Sequence, residues 1–107
     1  MLAIVDAGPL LAAANSADPD HSPCVDTLTR GEFDLLIPTL CVAEVSYFLG
    51  HRHGAAVEAS FVEGLAAFHV VAPEPEDWVR IGELVRKYDN LPLDTVDASV
   101  VVLAERM

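Results

Sequence analysis

Short hydrophobic runs alternate with longer amphipathic segments along the whole chain. Three mostly apolar runs, at residues 2–6, 33–37 and 68–72, are predicted to be buried strands of a parallel sheet. The segments around them have helical spacing and predict six helices, at residues 8–15, 22–31, 40–49, 55–67, 76–88 and 94–104. Strands that alternate with helices indicate an α/β fold, in which helices flank a small parallel sheet with right-handed crossovers.

The predicted helix at residues 40–49 is apolar on almost every side. Glu44 is its single charged residue, and a helix of this composition is expected to be buried. A buried carboxylate is costly unless it is paired or binds a metal ion, which makes Glu44 a candidate functional residue. The alternative is that Glu44, with Ser46 nearby, lies on a narrow stripe that faces solvent.

Asp6 ends the first predicted strand, just before the break at Gly8 and Pro9. Open α/β sheets bind ligands at the carboxyl ends of their strands, so Asp6 is a second candidate. An aspartate at this position can equally well cap the helix that follows it. Both interpretations of Asp6 are open at this stage.

Two further acids, Asp94 and Asp97, stand three residues apart at the start of the last helix and share one face of it. Asp94 is explained by a role as N-cap without any function. Asp97 lies one turn into the helix, immediately before an apolar run that has to be buried. We therefore treat Asp97 as the stronger candidate of the two.

The remaining reactive side chains give weaker signals. Cys24 and Cys41 have the spacing of neither a metal site nor a redox motif, and their apolar neighbours predict small buried hydrophobic residues. The segment at residues 50–54 is predicted to be a polar link between two helices. Its histidines, His51 and His53, are expected to be solvated or to lie where a phosphate backbone passes.

Length and charge narrow the class of protein. A chain of 107 residues predicts a single domain, and its apolar runs fall short of the ~20 residues of a membrane span. Met1 leads directly into the first strand, so we expect no signal peptide and a cytoplasmic location. The net charge of −11 argues against binding nucleic acid through phosphate neutralisation, but it fits carboxylates that hold a cation or a basic protein partner.

Asp6, Glu44 and Asp97 are each placed where an α/β fold can direct them into one crevice. Clustered carboxylates repel one another unless protons or a cation intervene. An all-oxygen set of ligands favours Mg²⁺, with Mn²⁺ as a substitute, over zinc. A site of this kind can activate water and stabilise the transition state of phosphodiester hydrolysis.

Three segments of the sequence resemble a known family: residues 4–11 (IVDAGPLL), 38–45 (PTLCVAEV) and 96–106 (VDASVVVLAER). Together, in this order and spacing, they are similar to the PIN domain and, more narrowly, to VapC-type ribonuclease toxins of bacterial toxin–antitoxin modules. The resemblance implies a Mg²⁺-dependent endoribonuclease in which Asp6, Glu44 and Asp97 hold the metal and orient the attacking water. It also implies an RNA substrate, dimers or higher oligomers, and inhibition by a cognate antitoxin whose tail enters the acidic groove.

The sequence departs from the family pattern at two points. Ala7 stands where many members have Ser or Thr, and the chain ends at Met107, before the family's usual further strand and fourth aspartate. We therefore expect a single PIN-like domain, residues 1–107, that is truncated at its C-terminus. Asp94 is an alternative source of a fourth acid, but its role as N-cap is the preferred interpretation. A strand edge left without a partner would favour self-association. The alternative to an enzyme is a catalytically silent PIN-like module that binds an antitoxin or another protein.

Two other phosphate-handling folds fit less well. A response-regulator receiver needs an aspartate after its middle strand and a late lysine, whereas the third predicted strand here runs into Ala72 and Pro73. A haloacid-dehalogenase-type phosphotransferase needs a second aspartate two residues after the first, and Gly8 occupies that position.

Overall fold

A computed structural model describes residues 2–91 and 93–107 of the chain. The elements follow in the order β1 (Leu2–Ile4), α1 (Ala7–Ala14), α2 (His21–Thr29), β2 (Asp34–Pro38), α3 (Thr39–His53), α4 (Ala55–Gly64), a 3₁₀ turn (Leu65–Ala67), β3 (His69–Val71), α5 (Pro75–Lys87) and α6 (Thr95–Arg106). The predicted α/β fold class is confirmed, with a small parallel sheet flanked by helices.

The described strands form one parallel sheet in the order β1-β2-β3. Ile4 of β1 lies opposite Leu36 of β2, and Leu36 lies opposite His69 of β3. The three strands therefore point the same way, and their carboxyl ends meet at one edge of the sheet. The segments that leave this edge lead directly into α1, α3 and α5.

The main core lies between the sheet and α3. Ile37 of β2 is fully buried, and Cys41, Val45 and Leu49 of α3 are fully buried against it. The spacing i, i+4, i+8 of these three residues makes one continuous apolar stripe along the helix. Leu10 of α1 completes this cluster from the side.

A second apolar cluster joins α5 to α6 and contains Ile81, Leu84, Ala98 and Val102. Polar contacts at its border involve Arg106, which lies 3.1 Å from the Asp77 carboxylate. Val96 and Val100 of α6 pack against the main core, so the start of α6 lies beside the sheet.

The structure corrects three expectations about α3. The helix begins at Thr39, one residue before the predicted start at Leu40. It continues to His53, so most of the predicted polar link at residues 50–54 is helical, and the helix stops at Gly54, whose φ is +89°. It is also buried on one face only, because the neighbouring elements cover the stripe of Cys41 and leave the opposite side in solvent.

Smaller differences concern the helix faces and boundaries. The predicted helix at residues 55–67 is an α-helix only to Gly64 and ends in the 3₁₀ turn. Trp78 of α5 is 48% exposed, whereas Ile81 and Leu84 of the same helix pack against α6. Among the described residues, no helix has the length and apolar character needed to cross a membrane.

Candidate active site

Asp6 lies where β1 passes into α1. The N–H of Val5 donates to the carbonyl oxygen of Leu36 at 2.9 Å, so the chain stays in the sheet up to the residue before Asp6. Asp6 Oδ1 then accepts a hydrogen bond from the N–H of Ala7 at 2.7 Å and caps α1. Asp6 is thus a helix cap and also stands at the carboxyl edge of the sheet.

Asp94 and Asp97 form a reciprocal pair at the start of α6. The N–H of Asp97 donates to Asp94 Oδ1 at 2.9 Å, and the N–H of Asp94 donates to Asp97 Oδ2 at 3.4 Å. This capping box fixes both carboxylates at the helix N-terminus, where the partial positive charge of the backbone favours them. It uses one oxygen of each carboxylate, and the predicted N-cap role of Asp94 is confirmed.

Glu44 projects from the exposed side of α3, so the expectation that it is buried is wrong, and it lies instead on a stripe that faces solvent. Partial loss of hydration raises the pKa of the Glu44 carboxyl above its usual range, and the negative charges of Asp94, Asp97 and Asp6 raise it further. These charges act on Glu44 only because the start of α6 and the end of β1 lie beside the second turn of α3. The four acids therefore share one electrostatic environment.

Cys41 lies under this group of acids. It is fully buried, as the sequence predicts, and its Sγ donates to Asp6 Oδ1 at 3.7 Å. Burial, followed by the charge of Asp6, raises the pKa of the Cys41 thiol to about 12. The thiol therefore stays protonated at neutral pH and remains a donor to Asp6.

This contact of Cys41 with Asp6 is the part of the site that sequence reasoning missed. Its one signal in the sequence is position, because Cys41 lies in the first turn of the helix that leaves the carboxyl end of β2. Residues there can reach a group that follows the neighbouring strand.

The chemistry of these side chains fits a divalent cation. The candidates Asp6, Glu44, Asp94 and Asp97 are all carboxylates, the ligands that Mg²⁺ and Mn²⁺ prefer. The charges of the three aspartates add to the effect of lost hydration in raising the pKa of Glu44. Over residues 2–91 and 93–107, however, no three His, Cys, Asp or Glu side chains stand close enough together to hold a metal ion. The arrangement is thus a converging set of acids rather than a finished ligand cage.

Comparisons with protein families and with individual proteins identify relatives of this chain. Residues 3–107 match the family model of the PIN domain. Ribonuclease VapC26 of Mycobacterium tuberculosis (strain ATCC 25618 / H37Rv) is 29% identical over 105 residues, which cover 96% of this chain and 78% of that protein.

A solved structure shows the same fold. The crystal structure of Mycobacterium tuberculosis VapC20 (Rv2549c), described as a sarcin-ricin loop cleaving toxin, superposes with a TM-score of 0.86 at 15% identity. The match covers 96% of this chain and 81% of VapC20. The chain therefore belongs to the PIN domain family.

Proposed function

We propose that this chain is a metal-dependent endoribonuclease toxin of a type II toxin–antitoxin module, which hydrolyses RNA phosphodiester bonds with a metal-activated water. The observation that carries the proposal is the match of residues 3–107 to the PIN domain, on a fold in which Asp6 stands at the carboxyl edge of the sheet and the pair Asp94 and Asp97 starts α6. The negative charges of these three aspartates are also among the causes that raise the pKa of Glu44. Acids from α3, from α6 and from the end of β1 thus converge at one side of the sheet. Electrostatic convergence of carboxylates in a cleft is typical of functional sites, although structural networks produce it as well.

The proposed roles follow from the contacts of each side chain. Asp6, Glu44 and Asp97 would hold Mg²⁺, with Mn²⁺ as a substitute, and Asp94 adds a further carboxylate beside them. When bound, such an ion lowers the pKa of a water molecule and stabilises charge that develops on the phosphodiester. Hydrogen bonds from Ala7 and Cys41 orient Asp6 through Oδ1.

The proposed partners are RNA, a cognate antitoxin and further copies of this chain, all in the cytoplasm. Two features support an antitoxin. The net charge of −11 attracts a basic segment. An open groove of about 550 Å³, lined mostly by apolar side chains of α1, α2 and α4, can also accept apolar side chains of a partner.

A second candidate is a catalytically silent module that binds a protein partner. The observation in its favour is that the described residues contain no ready group of three metal ligands. The two candidates differ in whether the acids perform chemistry, so one set of variants separates them.

The test is cleavage of a fluorescent RNA by the purified chain in Mg²⁺, in Mn²⁺ and in EDTA. We expect Asp6→Asn and Asp97→Asn to lower the rate by at least about 100-fold, because each removes charge from a site that supplies several kcal/mol. The matched control is Asp34→Asn, since exposed Asp34 begins β2 at the opposite, amino edge of the sheet. Cleavage that continues in EDTA or survives Asp97→Asn would assign the activity to a contaminant or another site. A folded chain that cleaves nothing would favour the silent module.

A further inference from the structure

The exposed side of α3 continues beyond the acids as a stripe of aromatic and basic side chains. Glu44, Tyr47, Phe48 and His51 have the spacing i, i+3, i+4, i+7, so they follow one another along one face of the helix. All four are exposed, while the opposite face packs into the core. We call Tyr47, Phe48, His51 and Arg52 the α3 stripe.

Two of its rings are already stacked. The rings of Tyr47 and His51 lie 5.8 Å apart between centroids and are tilted by 7° from each other. Tyr47 is 74% exposed, more than any other large hydrophobic residue of the described chain. Contact with a partner would bury the ring of Tyr47, and burial of an aromatic ring is favourable. Tyr47 therefore presents an open aromatic surface in an orientation that His51 supports.

Arg52 provides a cation beside these rings. Its guanidinium carbon lies 5.1 Å from the centre of the Phe48 ring. Arg30, Arg80 and Arg106 form ion pairs with carboxylates, and Arg52 takes part in none of the ion pairs formed within the described ranges. A guanidinium held on an aromatic face keeps its N–H donors free for a planar or phosphate acceptor.

We propose that the α3 stripe binds single-stranded RNA: an unpaired base stacks on Tyr47, and Arg52 contacts a neighbouring phosphate. This inference rests on the proposed function, because it names how the substrate of the acidic site is positioned. Glu44 and His51 are seven positions apart, which is about 10 Å along the helix, so nucleotides held on the stripe flank the strand that reaches Glu44.

Stacking resolves an apparent conflict with the net charge of −11. Base–aromatic contact needs no excess of positive charge and occurs with every base, whereas phosphate binding alone would need many cations. The stripe carries two large apolar side chains, Tyr47 and Phe48, with charged residues on both sides. A stable protein interface buries ~800 Å² per partner, which is more than two side chains offer. The stripe is therefore better suited to a stacked base than to a protein partner.

The experiment measures fluorescence anisotropy of the full chain with a short, labelled RNA of mixed sequence and with an abasic RNA of equal length, both in EDTA. Tyr47→Ala is expected to weaken binding of the normal RNA by roughly 5- to 150-fold, the effect of losing one stacked base. Tyr47→Phe keeps the ring and retains the affinity. Tyr47→Ala leaves the abasic RNA unaffected, and Arg52→Ala weakens both RNAs, less so at high salt.

The matched controls are Trp78→Ala, which removes an exposed aromatic ring of α5, and Arg86→Ala, which removes an exposed cation of the same helix. Both should bind like the parent chain. Metal-dependent cleavage by the parent is measured in parallel. If the parent cleaves RNA while Tyr47→Ala and Arg52→Ala bind it unchanged, the inference is wrong and the proposed function stands.

Two other results would overturn the inference in different ways. If the parent chain neither binds nor cleaves RNA, the proposed function and the proposed role of the α3 stripe are both wrong. If Tyr47→Ala leaves RNA affinity unchanged but converts an oligomer to a monomer in sedimentation, the α3 stripe is instead an interface between copies of this chain.

Discussion

Asp6 serves the fold and the candidate site with the same carboxyl group. Its Oδ1 caps α1 through Ala7, and any contribution to metal binding depends on the negative charge. Asparagine caps a helix about as well as aspartate but carries no charge. Replacement by asparagine or by alanine therefore separates the two roles.

We expect Asp6→Asn to unfold in urea with nearly the free energy of the parent, and Asp6→Ala to lose about 1 kcal/mol with the cap. Both variants should lose RNA cleavage. The measurement is urea unfolding beside the cleavage assay. Equal destabilisation by asparagine and alanine would mean that the charge of Asp6, rather than its hydrogen bond to Ala7, stabilises α1.

Glu44 is a residue whose charge costs stability. Partial dehydration and the nearby acids raise its pKa in the folded chain above that in the unfolded chain. Between these two pKa values the folded state binds more protons, so the free energy of unfolding falls as pH rises through that window. It is then constant at higher pH, where Glu44 is ionised in both states.

Glu44→Gln is therefore expected to be more stable than the parent at neutral pH and to lack this fall above the ordinary pKa of glutamate. The gain is at most about 1 kcal/mol, because the group is exposed and solvent screens the repulsion. Urea unfolding from about pH 4 to pH 7 measures it, and cleavage by the same variant should be lost. Lower stability of Glu44→Gln at neutral pH would show that the negative charge of Glu44 stabilises the folded chain instead of destabilising it.

In α3, the hydrophobic pattern predicts the first part of the helix but not its last turn. Its apolar half at residues 40–49 predicts a helix, and the structure contains one. The half from Gly50 to His53 lacks apolar residues and was predicted to be a link, yet it is helical. The missing information is tertiary: Glu58 of α4 packs against Gly50, which extends the contact between the two helices.

The backbone conformation of Gly54 explains why α3 ends there. Its φ of +89° and ψ of 173° lie in a region that is nearly exclusive to glycine, and a Cβ there would meet no atom within 4 Å. Gly54→Ala should therefore cost about 1–3 kcal/mol of unfolding free energy from backbone strain alone.

The control for this change is Gly64→Ala. Gly64 also has open space around it, but its φ of −62° is helical, so alanine there should be neutral or stabilise by up to about 1 kcal/mol. Urea unfolding of the two variants compares the same added methyl group in two backbone conformations. Equal effects would mean that the α3–α4 turn relaxes without strain.

At the scale of the whole molecule, the sequence predicts the topology and the candidate acids, but not the surroundings of each acid in the fold. Alternating runs and helical spacing are local signals, and they were sufficient for a parallel sheet with flanking helices. Which face of α3 is buried depends on the sheet and on neighbouring helices, so the exposure of Glu44 could not be predicted. The contact of Cys41 with Asp6 joins residues 35 positions apart and likewise needed coordinates.

The acids also affect the stability of the molecule as a whole. With a net charge of −11, the folded chain concentrates like charges that the unfolded chain spreads apart, and the group around Glu44 is the clearest case. A divalent cation that binds only the folded state adds about 2.7 kcal/mol of stability at a hundred times its dissociation constant. For a domain of this size, that corresponds to a rise in melting temperature of roughly 10–20 °C.

We therefore expect Mn²⁺, added at constant ionic strength, to raise the melting temperature of the parent and of Asp34→Asn but not that of Asp6→Asn or Asp97→Asn. Constant ionic strength is essential, because general screening would stabilise all four chains alike. A rise confined to the chains with intact acids would show that ion binding completes the set of ligands. If every chain is folded and none responds, Asp6, Glu44 and Asp97 do not hold a metal in this chain, and the module that binds a protein partner becomes the better account.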